Sequence, residues 1–117
     1  MEKRNFLMLI AMATPSKALV DSALERIKRE ADPLAVAAWI DSRGAGIFMT
    51  TSLAARTIHD CILPSNPTYD QRQAVREVLV VEVGRELWGS STNSRAMAWL
   101  NSHRLPIPPE SKAPPSA

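Results

Sequence analysis

The apolar and polar positions of this chain fall into short segments, and two of them favour strands. Residues 6–13 are uniformly apolar, so no period separates a strand from a buried helix there. Residues 18–20 have the composition of a strand end. Residues 47–51 are rich in β-forming side chains and predict a short buried strand.

The first helices are predicted from capping patterns. Ser22 and Glu25 have the spacing of a capping box, which predicts a helix over residues 23–30. Asp32, an acid before a proline, predicts a second helix start that continues through "LAVAAWIDS" to the glycines after it. The inward face of that second helix would hold Val36, Trp39 and Ile40.

Three further helices are predicted in the second half. Residues 53–63 have helical spacing and are closed by a proline. Residues 69–83 form the longest amphipathic segment, although residues 78–83 are β-branched enough to form a strand instead. The last helix would be capped by Ser91 or Thr92 and would bury Ala96, Trp99 and Leu100.

Helices that alternate with fewer, short apolar strands favour an α/β fold, helix-rich, with a short parallel sheet surrounded by helices. A length of 117 residues indicates one domain. We expect an N-terminal extension at residues 1–16, the domain at 17–110, and a disordered tail at 111–117, where proline is frequent.

Composition narrows the compartment and the partners. The net charge of +2 permits contact with nucleic acid without arguing for it. The single cysteine is typical of a reducing compartment, which favours a cytoplasmic protein. The alternative is export, because basic residues precede the apolar run and residues 16–18 resemble a cleavage site. The run is too short to span a membrane, so no membrane partner is expected.

Two groups of residues are candidates for chemistry. Asp21 ends an apolar run and precedes a helix, which is a ligand position in α/β folds, but its spacing alone favours a helix cap. His59, Asp60 and Cys61 are helix neighbours that point about 100° apart, so they cannot form a catalytic triad among themselves. Cys61 is interpreted as a small buried apolar residue.

The surface arginines and the tryptophans have simpler interpretations. Arg72, Arg76 and Arg85 are typical of a solvated helix face rather than an RNA track. The three tryptophans are spaced for core packing, and none adjoins a basic cluster as a base-stacking platform would.

From Lys17 onward, the order of segments resembles the PIN-domain ribonucleases of bacterial toxin–antitoxin pairs. "KALVDSALERI" is similar to that family's opening strand, and "ADPLAVAAWIDSR" to its next helix, as in the Fit-type toxins. "IFMTTSLA" resembles the second strand and following helix. "GRELW" and "SRAMAWLNSHRLPIPP" resemble a later strand, helix and turn. The resemblance covers most of residues 17–110 and implies a PIN-like fold.

The resemblance also implies a metal-dependent endoribonuclease with a cluster of carboxylates around Mg²⁺ or Mn²⁺. Asp21 matches the first acid and would be both a catalytic residue and a metal ligand. The second acid is replaced by Ala55, and the third falls at Ser111, whose nearest acid, Glu110, is the other candidate metal ligand. The fourth would follow Ala117. With this incomplete set, activity is expected to be weak or lost.

The sequence therefore leaves two hypotheses open. The first is a toxin-like endoribonuclease that acts on RNA and pairs with a cognate antitoxin. The alternative is a small non-catalytic interaction protein, such as an antitoxin, an immunity protein or an inhibitor, that acts by binding a partner protein. A homodimer is compatible with either hypothesis.

Overall fold

The computed structural model describes residues 2–64, 66–86 and 93–104. Within these ranges the elements, in chain order, are β1 (Arg4–Met12), α1 (Lys17–Glu30), β2 (Val36–Asp41), β3 (Gly44–Thr51), α2 (Ala55–Ile62), α3 (Tyr69–Ala74), β4 (Val75–Val83) and α4 (Ser94–His103). No helix in these ranges is long and apolar enough to cross a lipid bilayer.

The four strands form one antiparallel sheet in the order β2–β3–β1–β4. Together with the element order, this is the β-α-β-β-α-β arrangement called ferredoxin-like, with α3 inserted before the last strand and α4 added after it. Residues 4–12, which the sequence assigned to an N-terminal extension, form β1 at the centre of the sheet.

The main core lies between one face of the sheet and helices α1 and α2. Buried and half-buried residues alternate along β1, as expected when every second side chain points to the helices. The buried members of this core are Phe6, Met8, Ile10, Met12, Val20, Ile27, Ala35, Ala45, Ile47, Met49, Ile58 and Ile62.

Helix α1 begins six residues earlier than the capping box at Ser22 predicted. Ser16 has an extended backbone, and its hydroxyl accepts a hydrogen bond from the backbone N–H of Leu19 at 3.2 Å, so the helix starts at Lys17. Residues 18–20 are therefore helical, and the prediction of a strand end there is wrong. The periodicity explains this start, because Val20 and Ile27 lie on one side of the helix and are fully buried.

The prediction of a PIN-like parallel sheet is contradicted by this antiparallel one. The decisive segment is 36–41, which was predicted to be helical and instead forms β2. Two residues join β2 to β3, and the carboxylate of Asp41 accepts the N–H of Arg43 at 2.7 Å within this turn. A two-residue connection can only join antiparallel neighbours, because parallel strands need a crossover of a dozen residues or more.

The long amphipathic segment divides into a short helix and a strand. Thr68 and Gln71 form a capping box that starts α3, which ends at Ala74. From Val75 onward the chain is the edge strand β4, so the strand alternative for residues 78–83 is confirmed. The β-branched side chains there pack better on a sheet than in a helix.

Other predictions hold. Residues 47–51 lie in β3, and most of residues 53–63 form α2. Helix α4 buries Ala96, Trp99 and Leu100 as expected, but its N-cap is Asn93, whose side chain accepts the N–H groups of Arg95 and Ala96. Residues 91, 92 and the tail at 111–117 lie outside the described residues.

Candidate interaction surface

The structure places the acid proposed as a metal ligand within a helix. Asp21 lies in the second turn of α1, where its carboxylate oxygens bind Lys17 Nζ at 2.8 and 2.9 Å on the exposed side. It neither ends a strand nor caps the helix. Ala55 is the first residue of α2, and Glu110 lies outside the described residues. Within residues 2–64, 66–86 and 93–104, no group of three or more His, Cys, Asp or Glu side chains could hold a metal ion.

The His59–Asp60–Cys61 sequence forms one internal contact. His59 Nδ1 lies 3.0 Å from Asp60 Oδ1, whereas Cys61 turns away and its thiol donates to the carbonyl of Thr57. Burial raises the pKa of Cys61, with a further contribution from Glu30. The raised pKa favours the protonated thiol, and the side chain packs half-buried against the core.

The face of the sheet opposite α1 and α2 is apolar across all four strands. The strand register places Trp39, Gly46, Leu9 and Leu79 in one row and Val36, Phe48, Leu7 and Val81 in the next. We refer to Leu7, Leu9, Trp39, Leu79 and Val81 as the apolar platform. Trp39 is 47% exposed, Leu79 44% and Val81 37%, while the two β1 leucines are half-buried.

A bulge in β2 brings Trp39 to the platform. The register shifts between Ala37 and Trp39, which turns Trp39 away from the core that its sequence position predicted. Its indole then lies on Gly46, since a Cβ added to that glycine would be 2.9 Å from Trp39 Nε1. One ring face is thus covered by the sheet, and the other faces outward. The prediction that Trp39 packs in the core is wrong.

Helix α4 covers only one end of this sheet face. The ring of Trp99 stacks on Phe48 with 4.6 Å between centroids, and the ring of His103 stacks at 4.0 Å from that of Trp99. Asn93 Nδ2 donates to the carbonyl of Ala37 at 2.8 Å and holds the start of the helix on β2. Arg85, just after β4, lies 3.5 Å from the carbonyl of His103. The helix therefore crosses the end where β2 begins and β4 ends, and the platform stays exposed.

The charges around the platform differ between its two ends. Next to the row of Trp39 and Leu79, on the side away from α4, lies a row whose two outer positions are Asp41 and Glu77. Arg43 and Arg76 adjoin them along the chain. At the α4 end the structure describes four charged residues close to this face, Arg85, Glu86, Arg95 and Arg104. In the described residues, the rows of the platform itself carry no charged side chain.

No protein-family model, curated protein or solved structure matches this chain. The fold and the surface therefore define its class: a small antiparallel α+β domain with an apolar sheet face that is partly uncovered.

Reasoning from the sequence missed this surface, although the sequence contains a signal for it. Antiparallel strands with one solvated face usually alternate apolar and polar residues. Residues 6–13 are apolar at odd and even positions alike, and Leu79 and Val81 give β4 the same pattern. A strand with apolar side chains on both faces is expected to be covered on both. Here helices α1 and α2 cover one face of the sheet.

Proposed function

We propose that this chain is a protein-interaction domain that binds through the apolar platform, and that its partner there is a second copy of itself. The observation that carries the proposal is the apolar platform, in which Trp39 on β2 and Leu79 and Val81 on β4 are exposed and the half-buried leucines of β1 lie between them. Contiguous exposed apolar surface on a small domain marks an interaction site more often than scattered apolar residues do. The proposal follows the second of the two hypotheses that the sequence left open.

The shape of the sheet face supports a symmetric partner. A two-fold axis that lies in the interface and runs across the strands turns one copy end for end. The α4 helices of the two copies then flank the paired platforms at opposite ends and do not collide. Two sheets packed in this way bury Trp39 and Leu79 of both copies in one layer.

The charges at the two ends support the same orientation. The end-for-end arrangement brings Asp41 and Glu77 of one copy toward Arg85 and Arg95 of the other. A two-fold axis parallel to the strands would instead place Asp41 and Glu77 of one copy against the same two residues of the other copy. Because Arg43 and Arg76 adjoin Asp41 and Glu77, that end is close to neutral, whereas arginines outnumber Glu86 at the α4 end. The first orientation therefore keeps the two basic ends apart, and the uncharged centre carries no desolvation cost for ions.

The size of the platform sets the expected affinity. Four strands about 4.8 Å apart and about four residues of each strand give a plane of roughly 250 Å². This is small beside the roughly 800 Å² per partner of a standard interface, so a weak and transient dimer is expected. The dimer should therefore form and dissociate within an accessible concentration range.

Sedimentation equilibrium from about 10 to 500 μM tests the proposal. The wild-type mass should rise from monomer to dimer across that range. Leu79→Asp places a carboxylate on the platform, on its edge strand β4, and should weaken the dimer at least tenfold, so that its mass stays below that of the wild type across the upper part of the range. Leu34→Asp is the matched control, because Leu34 is 81% exposed and lies outside the platform; it should dimerise like the wild type.

Two outcomes would contradict the proposal. One is a wild-type chain that stays monomeric up to the highest concentration. The other is a dimer that Leu79→Asp leaves intact while its circular dichroism and thermal unfolding match those of the wild type. Equal losses in the Leu79→Asp and Leu34→Asp variants would also assign self-association to general apolar exposure rather than to this surface.

The endoribonuclease hypothesis remains a prediction. The fold that the resemblance implied is overturned, and the segments that carried it fall on other elements: its first strand is α1 and its next helix is β2. The assay is RNA cleavage in the presence of Mn²⁺ by the wild type and by Asp21→Asn.

A further inference from the structure

A second site, which shares no residue with the platform, lies between α2 and α3. Arg56, His59, Asp60 and Leu63 follow one another at helical spacing, so they share one face of α2 and its end. Together with Pro64, Pro67 and Arg72, they line an open cleft of about 500 Å³. The charged and titratable groups on its wall are therefore two arginines, one histidine and one aspartate.

The two arginines are available to a ligand. Within the part of the chain that the structure describes, the guanidinium of Arg72 makes no hydrogen bond or ion pair, and it lies on the wall of the cleft. The side chain of Arg56 is 84% exposed, and its ion pair with Asp60 is long, with 3.9 Å between Nε and Oδ2. At that distance the pair is weak and leaves most of the guanidinium donors unused.

The histidine is oriented by its neighbour. Asp60 Oδ1 lies 3.0 Å from His59 Nδ1, so the carboxylate holds a proton on that nitrogen and fixes the ring. Nε2 is then the nitrogen left for a ligand. In the imidazolium form, both nitrogens donate, one to Asp60 and the other to the cleft.

Charged groups on the neighbouring elements do not compete for this cleft. Arg26 of α1 donates to the carbonyl of Cys61, and it forms a long ion pair with Glu30. Asp70 of α3 lines a different cavity, against α1 and β4. The wall thus carries two cations and a histidine against one carboxylate that is already engaged with His59.

We propose that this cleft binds a phosphate group, either free or as a monoester. Guanidinium groups match phosphate oxygens with paired N–H donors, and the imidazolium adds a third donor group. Three donor groups suit the three terminal oxygens of a phosphate better than the two oxygens of a carboxylate. The cleft is open and shallow enough for a phosphate that is attached to a larger molecule.

Nuclear magnetic resonance of the histidine side chains tests this site directly, because the chain has two histidines. His59 lies in the cleft, and His103, stacked on Trp99, serves as an internal reference. Titration with inorganic phosphate or phenyl phosphate at fixed pH and ionic strength should shift the His59 signals in a saturable way and leave those of His103 in place. Acetate at equal ionic strength should give a shift at least fivefold weaker.

Substitutions separate the cleft from general surface charge. Arg72→Gln and Arg56→Gln should each weaken phosphate binding about tenfold, the loss expected for one charge-assisted contact. Arg29→Gln is the matched control, because Arg29 is a 69% exposed arginine near the end of α1 and should bind phosphate like the wild type.

Three results would overturn the proposal: a His59 shift that does not saturate, equal responses to acetate and phosphate, or equal losses in Arg29→Gln and Arg72→Gln. A negative phosphate result would not contradict the platform proposal, because sedimentation and phosphate titration report on different surfaces. Phenyl phosphate carries an ester-linked ring that inorganic phosphate lacks, so tighter binding of phenyl phosphate would favour a phosphate ester as the ligand.

Discussion

Gly44→Ala is expected to lower the free energy of unfolding by about 3 kcal/mol, because the substitution forces apart two paired strands. Gly44 begins β3 and pairs with Ala11 of β1 and Asp41 of β2. A Cβ at this position would overlap the carbonyl oxygen of Ile10 and lie 3.1 Å from its carbonyl carbon. The obstacle is backbone in the central strand, so no side-chain rotation can relieve it.

Urea unfolding followed by circular dichroism measures this loss as a lower midpoint at unchanged slope. Gly84→Ala is the matched control, because a Cβ at Gly84 would meet nothing within 4 Å. That variant should differ from the wild type by less than about 0.5 kcal/mol. A Gly44→Ala protein as stable as Gly84→Ala would show that β1 and β3 are not held as closely as the register indicates.

Asp32→Ala is expected to lower the free energy of unfolding by about 3 kcal/mol, since one buried carboxylate joins two parts of the fold. The side chain lies in the loop between α1 and β2. Its Oδ1 accepts the N–H of Leu34 at 2.9 Å, and its Oδ2 accepts the N–H of Thr50 in β3 at 2.8 Å. Alanine leaves both N–H groups without that acceptor and removes a link between the loop and the sheet.

The matched control for Asp32→Ala is Asp21→Ala, which removes a carboxylate from an exposed ion pair with Lys17. Such pairs contribute little, so a change under about 0.5 kcal/mol is expected. Asp32→Asn keeps one acceptor oxygen and should lower the free energy of unfolding by about 1.5 kcal/mol, between the effects of Asp32→Ala and Asp21→Ala. If Asp32→Ala unfolded at the same urea concentration as Asp21→Ala, the bond to Thr50 would not contribute to stability.

These two sites show where local sequence patterns mislead. Asp32 before Pro33 has the spacing of a helix cap, but its carboxylate is used for a tertiary contact with β3, eighteen residues later. Residues 36–41 have apolar spacing that suits a helix, and the tight turn at Ser42 and Arg43 instead pairs them with β3. Helical segments with strong periodicity, such as α2, and the buried face of α4 were predictable because neighbours within the same helix define them.

The candidate surfaces were harder to predict, because each brings together residues of different elements. Trp39 reaches the platform only through a bulge, which moves every later residue of β2 to the opposite face. The proposed phosphate cleft combines residues of α2 with Arg72 of α3. The helical spacing within α2 was visible in the sequence, but the position of Arg72 beside it was not. The sequence placed Asp21 at the end of a strand, and the structure places it inside α1.

Asn93 also affects how the sheet can grow. The outer edge of β2 has unpaired backbone groups, and such an edge is a template for strands of other molecules and hence for fibre formation. The amide of Asn93 donates to the carbonyls of Ala37 and Ala38 at 2.8 and 3.4 Å, and the bulge interrupts the regular spacing there. A strand from another chain could not add to β2 along this stretch without displacing α4. Association by stacking of sheet faces stops at two copies, whereas edge-to-edge pairing that uses both β2 and β4 has no limit, and α4 obstructs it at the β2 edge.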